Sequence, residues 1–118
     1  MSYTVNGGAI LTECVSLDGD TPADLMTAAG KTLVVALYVA ETGGSTPSVT
    51  IEKFDGSMSC YLLKDAALQA GELIRLDILV NLKNGDILRA TGSSGGSMDV
   101  WVSYMAADKT ALGSPGWR

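Results

Sequence analysis

No histidine occurs anywhere in the 118 residues. Imidazole is the commonest general acid or base, a member of the Ser-His-Asp and Cys-His pairs, and a ligand in most catalytic zinc sites. Its absence removes the familiar hydrolase chemistries, and the sequence reads as that of a non-enzyme. Cysteine is scarce as well. Cys14 and Cys60 are the only two, too few for a metal cluster or a disulfide-dense scaffold, so both are expected as reduced thiols, with no cofactor and no metal. Basic residues are few: eight Lys and Arg face 13 Asp and Glu, for a net charge of −5. Those eight are scattered singly, so no basic stripe is available for phosphates, and neither nucleic acid nor an anionic membrane surface is expected as a partner. No apolar run approaches the roughly 18 to 20 residues of a membrane span. The first eight residues carry neither the basic nor the apolar segment of a secretory signal, and export by that route is not expected.

What the chain does have is apolar content, 47% of residues, together with 14 glycines. That composition suits one packed domain over residues 1–118, ending in an irregular tail over 106–118. Glycine-centred turn signals recur at Asn6-Gly7-Gly8, Asp18-Gly19, Gly43-Gly44, Asp55-Gly56, Gly71, Asn84-Gly85 and Gly92 to Gly96. Short strand-like runs lie between them, the pattern of an all-β antiparallel sandwich, jelly-roll or immunoglobulin-like, with roughly seven to eight strands. Leu33 to Ala40 is apolar at successive positions, which predicts a central strand covered on both faces. Val49 to Phe54, Asp55-Gly56 and Met58 to Leu63 predict a hairpin with a two-residue turn. Leu73 to Val80 alternates, with Ile74, Leu76, Ile78 and Val80 on one face. In the last run Met98, Val100, Val102 and Tyr104 share a face, opposite Asp99, Trp101, Ser103 and Met105. Residues 21–30 fit either a short capped helix or a strand.

Several segments in order carry a family likeness: Asp24 to Thr32, Ala36 to Gly44, Asp55-Gly56-Ser57, Gln69-Ala70-Gly71-Glu72 and Asn84 to Ala90. Together they resemble small β-sandwich virion structural proteins of tailed bacteriophages, of the decoration or cement kind. The likeness spans roughly residues 24 to 105 and contains no catalytic signature. It implies that residues 24–28 are strand, that the Ala29-Gly30-Lys31-Thr32 segment is a turn, and that the protein acts in the virion after synthesis in the host cytoplasm. The expected partners are other virion proteins, the major capsid protein among them, and further copies of this chain. A neck or tail component is the alternative within the same class. A carbohydrate-binding module of a host-recognition fibre is the alternative outside it, but with 7 aromatics in the whole chain an exposed aromatic row is poorly supplied.

The remaining constellations favour structure over chemistry. Asp18, Asp20 and Asp24 begin like a calcium loop, but Pro22 and Ala23 fall where a ligand and glycine belong. Gly92 to Ser97 lacks the Lys-Ser/Thr of a phosphate loop and reads as a flexible hairpin loop. Cys60, inside a strand pattern without a basic neighbour, reads as a small apolar filler. Two tryptophans remain to be placed. Trp101 on the polar side of its strand and Trp117 in the tail both need apolar cover. With Leu112 and Arg118 they form the expected partner interface: Trp101, Leu112, Trp117 and Arg118.

Overall fold

The computed structural model describes residues 4–5 and 8–106, with side chains placed from Ile10 onward. Ten strands occur among the described residues: β1 (Thr4–Val5), β2 (Gly8–Asp18), β3 (Ala23–Thr27), β4 (Thr32–Glu41), β5 (Ser48–Phe54), β6 (Ser59–Ala67), β7 (Leu73–Leu76), β8 (Val80–Leu82), β9 (Ile87–Thr91) and β10 (Ser97–Ala106). They form two antiparallel sheets. One has the order β1-β2-β10-β4-β7, with β8 also on β4, and the other has the order β3-β9-β5-β6. Consecutive strands therefore cross between sheets at almost every connection, and the first long strand pairs with the last. This interleaving is the jelly-roll alternative, not the immunoglobulin-like one. β1 is a two-residue annex and β7–β8 is one interrupted strand, which leaves eight principal strands.

The core follows from period-2 alternation. Met98, Val100 and Val102 of β10 are fully buried, beside Val34, Leu37 and Val39 of β4 and facing Leu25, Ile51, Leu88 and Ala90 of the other sheet. Each such side chain contributes about 1.5–3 kcal/mol by leaving water. Residues 33–40 are not covered on both faces, however. β4 is central in its sheet, but Leu33, Val35, Ala36, Tyr38 and Ala40 are only half-buried. The reason is that each sheet packs on one face alone.

An extra residue in β4 shapes the rest of that sheet. Ser103 pairs with Ala36 while Tyr104 pairs with Val34, so Val35 is a bulge, and both Val35 and Ala36 turn outward. The same level of β4 faces a gap on its other side. Leu76 pairs with Leu37 and Val80 with Val34, which leaves residues 77–79 unpaired and splits the expected Leu73–Val80 strand in two. Its facial alternation is nevertheless as expected, with Ile74, Leu76, Ile78 and Val80 more buried than their neighbours. A second bulge at Leu25 in β3 turns Leu25 and Met26 together into the core. That arrangement explains why residues 21–30 suited two readings; strand is the outcome.

Three local expectations need correction. Phe54 and Ser59 are the last ladder pair and the Asp55 N–H then donates to the Met58 carbonyl (3.1 Å), so the β5–β6 turn pivots on Gly56–Ser57, one residue later than Asp55-Gly56. Its geometry is set by Asp55, whose carboxylate accepts N–H bonds from Ser57 (2.9 Å) and Met58 (2.8 Å), with Gly56 at φ 102°. Residues 92–96 are not a hairpin loop, because β9 and β10 lie in different sheets. The segment is also closely packed: a Cβ at Gly92 would lie 2.7 Å from the Gly19 carbonyl oxygen and one at Gly96 2.6 Å from Pro47. Cys60 is not a filler either, since it is exposed on the edge strand β6.

The end of the sandwich where these connections meet is held by Glu41. Its buried carboxylate accepts backbone N–H bonds from Gly43 (2.8 Å), Gly44 (3.1 Å), Ser45 (3.1 Å) and Gly71 (2.8 Å). These bonds, that from Gly71 first, hold the carboxyl below its ordinary value against the opposing effect of burial.

Leu37→Ala should lower stability by about 2–5 kcal/mol in a denaturant titration, through cavity formation. Val35→Asp, on the outer bulge, should still give a folded chain with a cooperative thermal melt, whereas Val34→Asp should not.

Acid should weaken the fold through the same two carboxylates. Glu41 lies below its ordinary 4.5, and Asp55, held by the Met58 and Ser57 N–H groups, is lowered from 3.8 to about 2. Depressed values mean that their contribution is complete above the ordinary values and is lost as pH falls through the folded ones. Melting temperature should therefore be level from neutrality to about pH 5 and decline below it. Glu41→Gln should lower the plateau and flatten the decline.

Candidate functional site

Strand alternation that sends Val100 and Val102 inward sends Trp101 outward. Register then builds a row across the outer face of the six-stranded sheet. Trp101 pairs with Cys14 of β2 on one side and Tyr38 of β4 on the other, and Tyr38 pairs with Arg75 of β7. The row above it is Ser16, Asp99, Ala40 and Leu73; the rows below are Thr12, Ser103 and Ala36, then Ile10, Met105 and Leu33. Trp101 is 44% exposed, Leu73 58% and Ile10 39%. The bulge adds Val35 to the same side. The result is an apolar face with Trp101 near its middle, a feature that usually marks a contact with another molecule.

Polar groups on this face are bonded within its plane. Ser16 Oγ donates to Asp99 Oδ1 (2.7 Å), and the Thr12 and Ser103 hydroxyls bond each other at 3.0 Å. The formal charges among these rows are Asp99 and Arg75, the latter 3.4 Å from Asp77. Partial burial, then the Asp99 charge, push the Cys14 thiol up, so it stays protonated at neutral pH and is not an activated nucleophile.

The outer face of the four-stranded sheet has a different character. Asp24, Arg89, Glu52 and Tyr61 form its central row. Arg89 Nε lies 3.0 Å from Asp24 Oδ1, its guanidinium stacks 4.7 Å from the Phe54 ring centre, and Lys64 Nζ sits 4.6 Å from that of Tyr61. Charges cover the aromatics here, as on an ordinary solvated face. Asp24 is thereby engaged with Arg89 and does not face Asp18 and Asp20 as a calcium loop would require. Among the described residues no group of three or more Cys, Asp or Glu is placed to hold a metal ion, and no helix is long and apolar enough to cross a membrane.

Of the four residues expected at an interface, Trp101 lies on the apolar face. Leu112, Trp117 and Arg118 lie outside the described residues. Sequence reasoning missed the companions of Trp101, namely Cys14, Tyr38 and Leu73. Their alternation was legible in each strand separately, but only the register between distant strands brings them into one patch.

No protein-family model and no curated protein sequence matches the chain. Solved structures do. A chain of the acidic stable capsid structure of Helicobacter pylori bacteriophage KHP30 superposes with a TM-score of 0.66 over 92% of both chains, at 11% identity. A pentameric capsid protein from metagenomic phage sequences gives a TM-score of 0.57 at 18% identity, over 85% of this chain and 64% of that one. The nucleoplasmin-like N-terminal domain of Drosophila FKBP39 gives 0.50 at 10% identity, over 84% and 91%. At such identities the fold is what these proteins share, and two of the three are phage capsid structures.

Proposed function

We propose that this chain is a bacteriophage virion structural protein, and more specifically a capsid decoration (cement) protein that binds the shell and reinforces contacts between its subunits. The observation that carries this reading is the end-to-end overlay, 92% of each chain, on a component of a phage capsid structure. The pentameric neighbour supports self-association. The apolar Trp101 face and the segment resemblance support a role in protein–protein contact, without catalysis or cofactor. Its partners in this reading are the major capsid protein and further copies of the chain.

Cementing is mass action applied to a shell. Each bound copy adds buried surface that must be exposed before neighbouring capsomers separate, so the intact shell is stabilised relative to the broken one. Residues 107–118 belong to the same proposal as a docking arm on a neighbouring subunit, with Trp117 and Leu112 as apolar anchors and Arg118 beside them.

Cryo-electron microscopy of particles carrying a labelled copy tests the assignment. Label over the shell at three-fold or two-fold positions is expected. Absence from particles would sink the virion reading, and a ring at the neck would transfer the chain to the neck or tail. The arm has its own test, deletion of residues 107–118. Loss of assembly with an unchanged melt is expected; a lowered melt with assembly retained would mean that the segment caps its own sandwich.

A further inference from the structure

Nothing among the described residues covers the outer face of the six-stranded sheet. We propose that a second copy of the chain packs on it face to face about a two-fold axis, with the Cys14–Trp101–Tyr38 row at the centre. This rests on the self-association put forward above and names the surface that it uses.

Charge points to a second copy. The chain as a whole carries −5, which opposes association of like with like, yet these rows hold one acid, Asp99 on β10, and one base, Arg75 on β7. A two-fold axis lying between the sheets can bring Arg75 of each copy towards Asp99 of the other, so an identical face is electrostatically complementary to this one. Arg75 already has Asp77 beside it, but both side chains are largely exposed and can exchange partners, whereas Arg89 on the four-stranded sheet is half-buried, hydrogen-bonded to Asp24 and stacked on Phe54.

Desolvation and size agree with this. The Ser16–Asp99 and Thr12–Ser103 bonds keep those polar groups partnered when water leaves, so the burial penalty is reduced. The fourteen positions of these rows, with strands about 4.8 Å apart and rows about 6.8 Å apart, span a footprint on the order of 450 Å². That lies at the low end of interface sizes, as suits a dimer that forms and separates with concentration.

The chain carries its own reporters. Cys14 lies in the central row and Cys60 on β6 of the other sheet, both free and exposed in the single chain. Maleimide labelling of the full-length protein, followed across concentration alongside light scattering, reads both. As dimer forms, Cys14 labelling should slow about tenfold when roughly 90% of chains are paired, because reaction proceeds through the free fraction. Cys60 should be unaffected. Trp101→Arg should abolish the dimer and restore Cys14 labelling, and Ser103→Lys on the same face serves if that variant fails to fold. Tyr61→Arg, on the other sheet, should change neither readout.

Four results would overturn the proposal. An oligomer whose Cys14 reacts as fast as it does in the dilute single chain would leave self-association standing but move it to another surface. A monomer with fast-reacting Cys14 at all concentrations would remove self-association itself, leaving the virion role to the particle images. A monomer whose Cys14 reacts only after residues 107–118 are deleted would assign the face to the chain's own tail. Protection that appears only on adding phage capsids would assign it to another virion protein.

Discussion

A buried carboxylate with four backbone donors holds together the part of the molecule that the topology makes hardest to build. In a jelly roll the chain passes from one sheet to the other at nearly every connection, and each passage leaves peptide groups outside the ladders. Glu41 ends the central strand β4 at the level where the β4–β5 and β6–β7 connections turn. It supplies acceptors for Gly43, Gly44, Ser45 and Gly71 at once. A charge in that position would be costly if unpartnered; with four N–H groups directed at it, the ionised form is favoured and two separate crossings are tied to one side chain. Neighbouring bonds complete the join: Gly19 N–H to the Gly96 carbonyl, Leu68 N–H to that of Pro47, and Ser48 N–H to the Ser93 hydroxyl.

With the crossings fixed, the two sheets are free to differ on the sides that face away from the core. One covers its aromatics with its own cations, Arg89 over Phe54 and Lys64 over Tyr61. The other leaves Trp101, Tyr38 and Leu73 at least partly exposed beside Cys14, Ala40 and Ser103, with Asp99 and Arg75 as the formal charges in those rows, and its hydroxyls bond sideways in place of reaching out to solvent. On the proposed reading, this asymmetry gives the molecule one side suited to contact and one suited to water.

How much of this the sequence disclosed depended on whether the information was local. β10 was legible because Met98, Val100 and Val102 alternate with Asp99, Trp101 and Ser103 in a single run. The inner side of β2 was not, because Leu11 and Glu13 lie exposed opposite the short β3, and its pattern therefore breaks at Glu13. The bulges at Leu25 and Val35 were illegible for a different reason: an extra residue is chosen by the register of the strand alongside, which no single run records. The apolar face was half legible. Trp101 stood out, but its neighbours come from positions 14, 38 and 75, and only pairing joins them.

The interruption between β7 and β8 has a consequence for growth. A sheet lengthens sideways without limit only if both flanks offer an unbroken run of free peptide groups, and here the flank beside β4 is cut at residues 77–79. In the other sheet β3 is short and bulged, while β6 is twice out of register near Asp65, which holds a positive φ of 49°. Beyond Gly8 and Ala9, which β1 covers, the outer side of β2 is therefore the one long regular edge among the described residues. A molecule with a single joinable edge can pair once through it and then stops. Fibre growth, the failure to which crowded β proteins are most prone, is thus blocked by the same irregularities that shape the core.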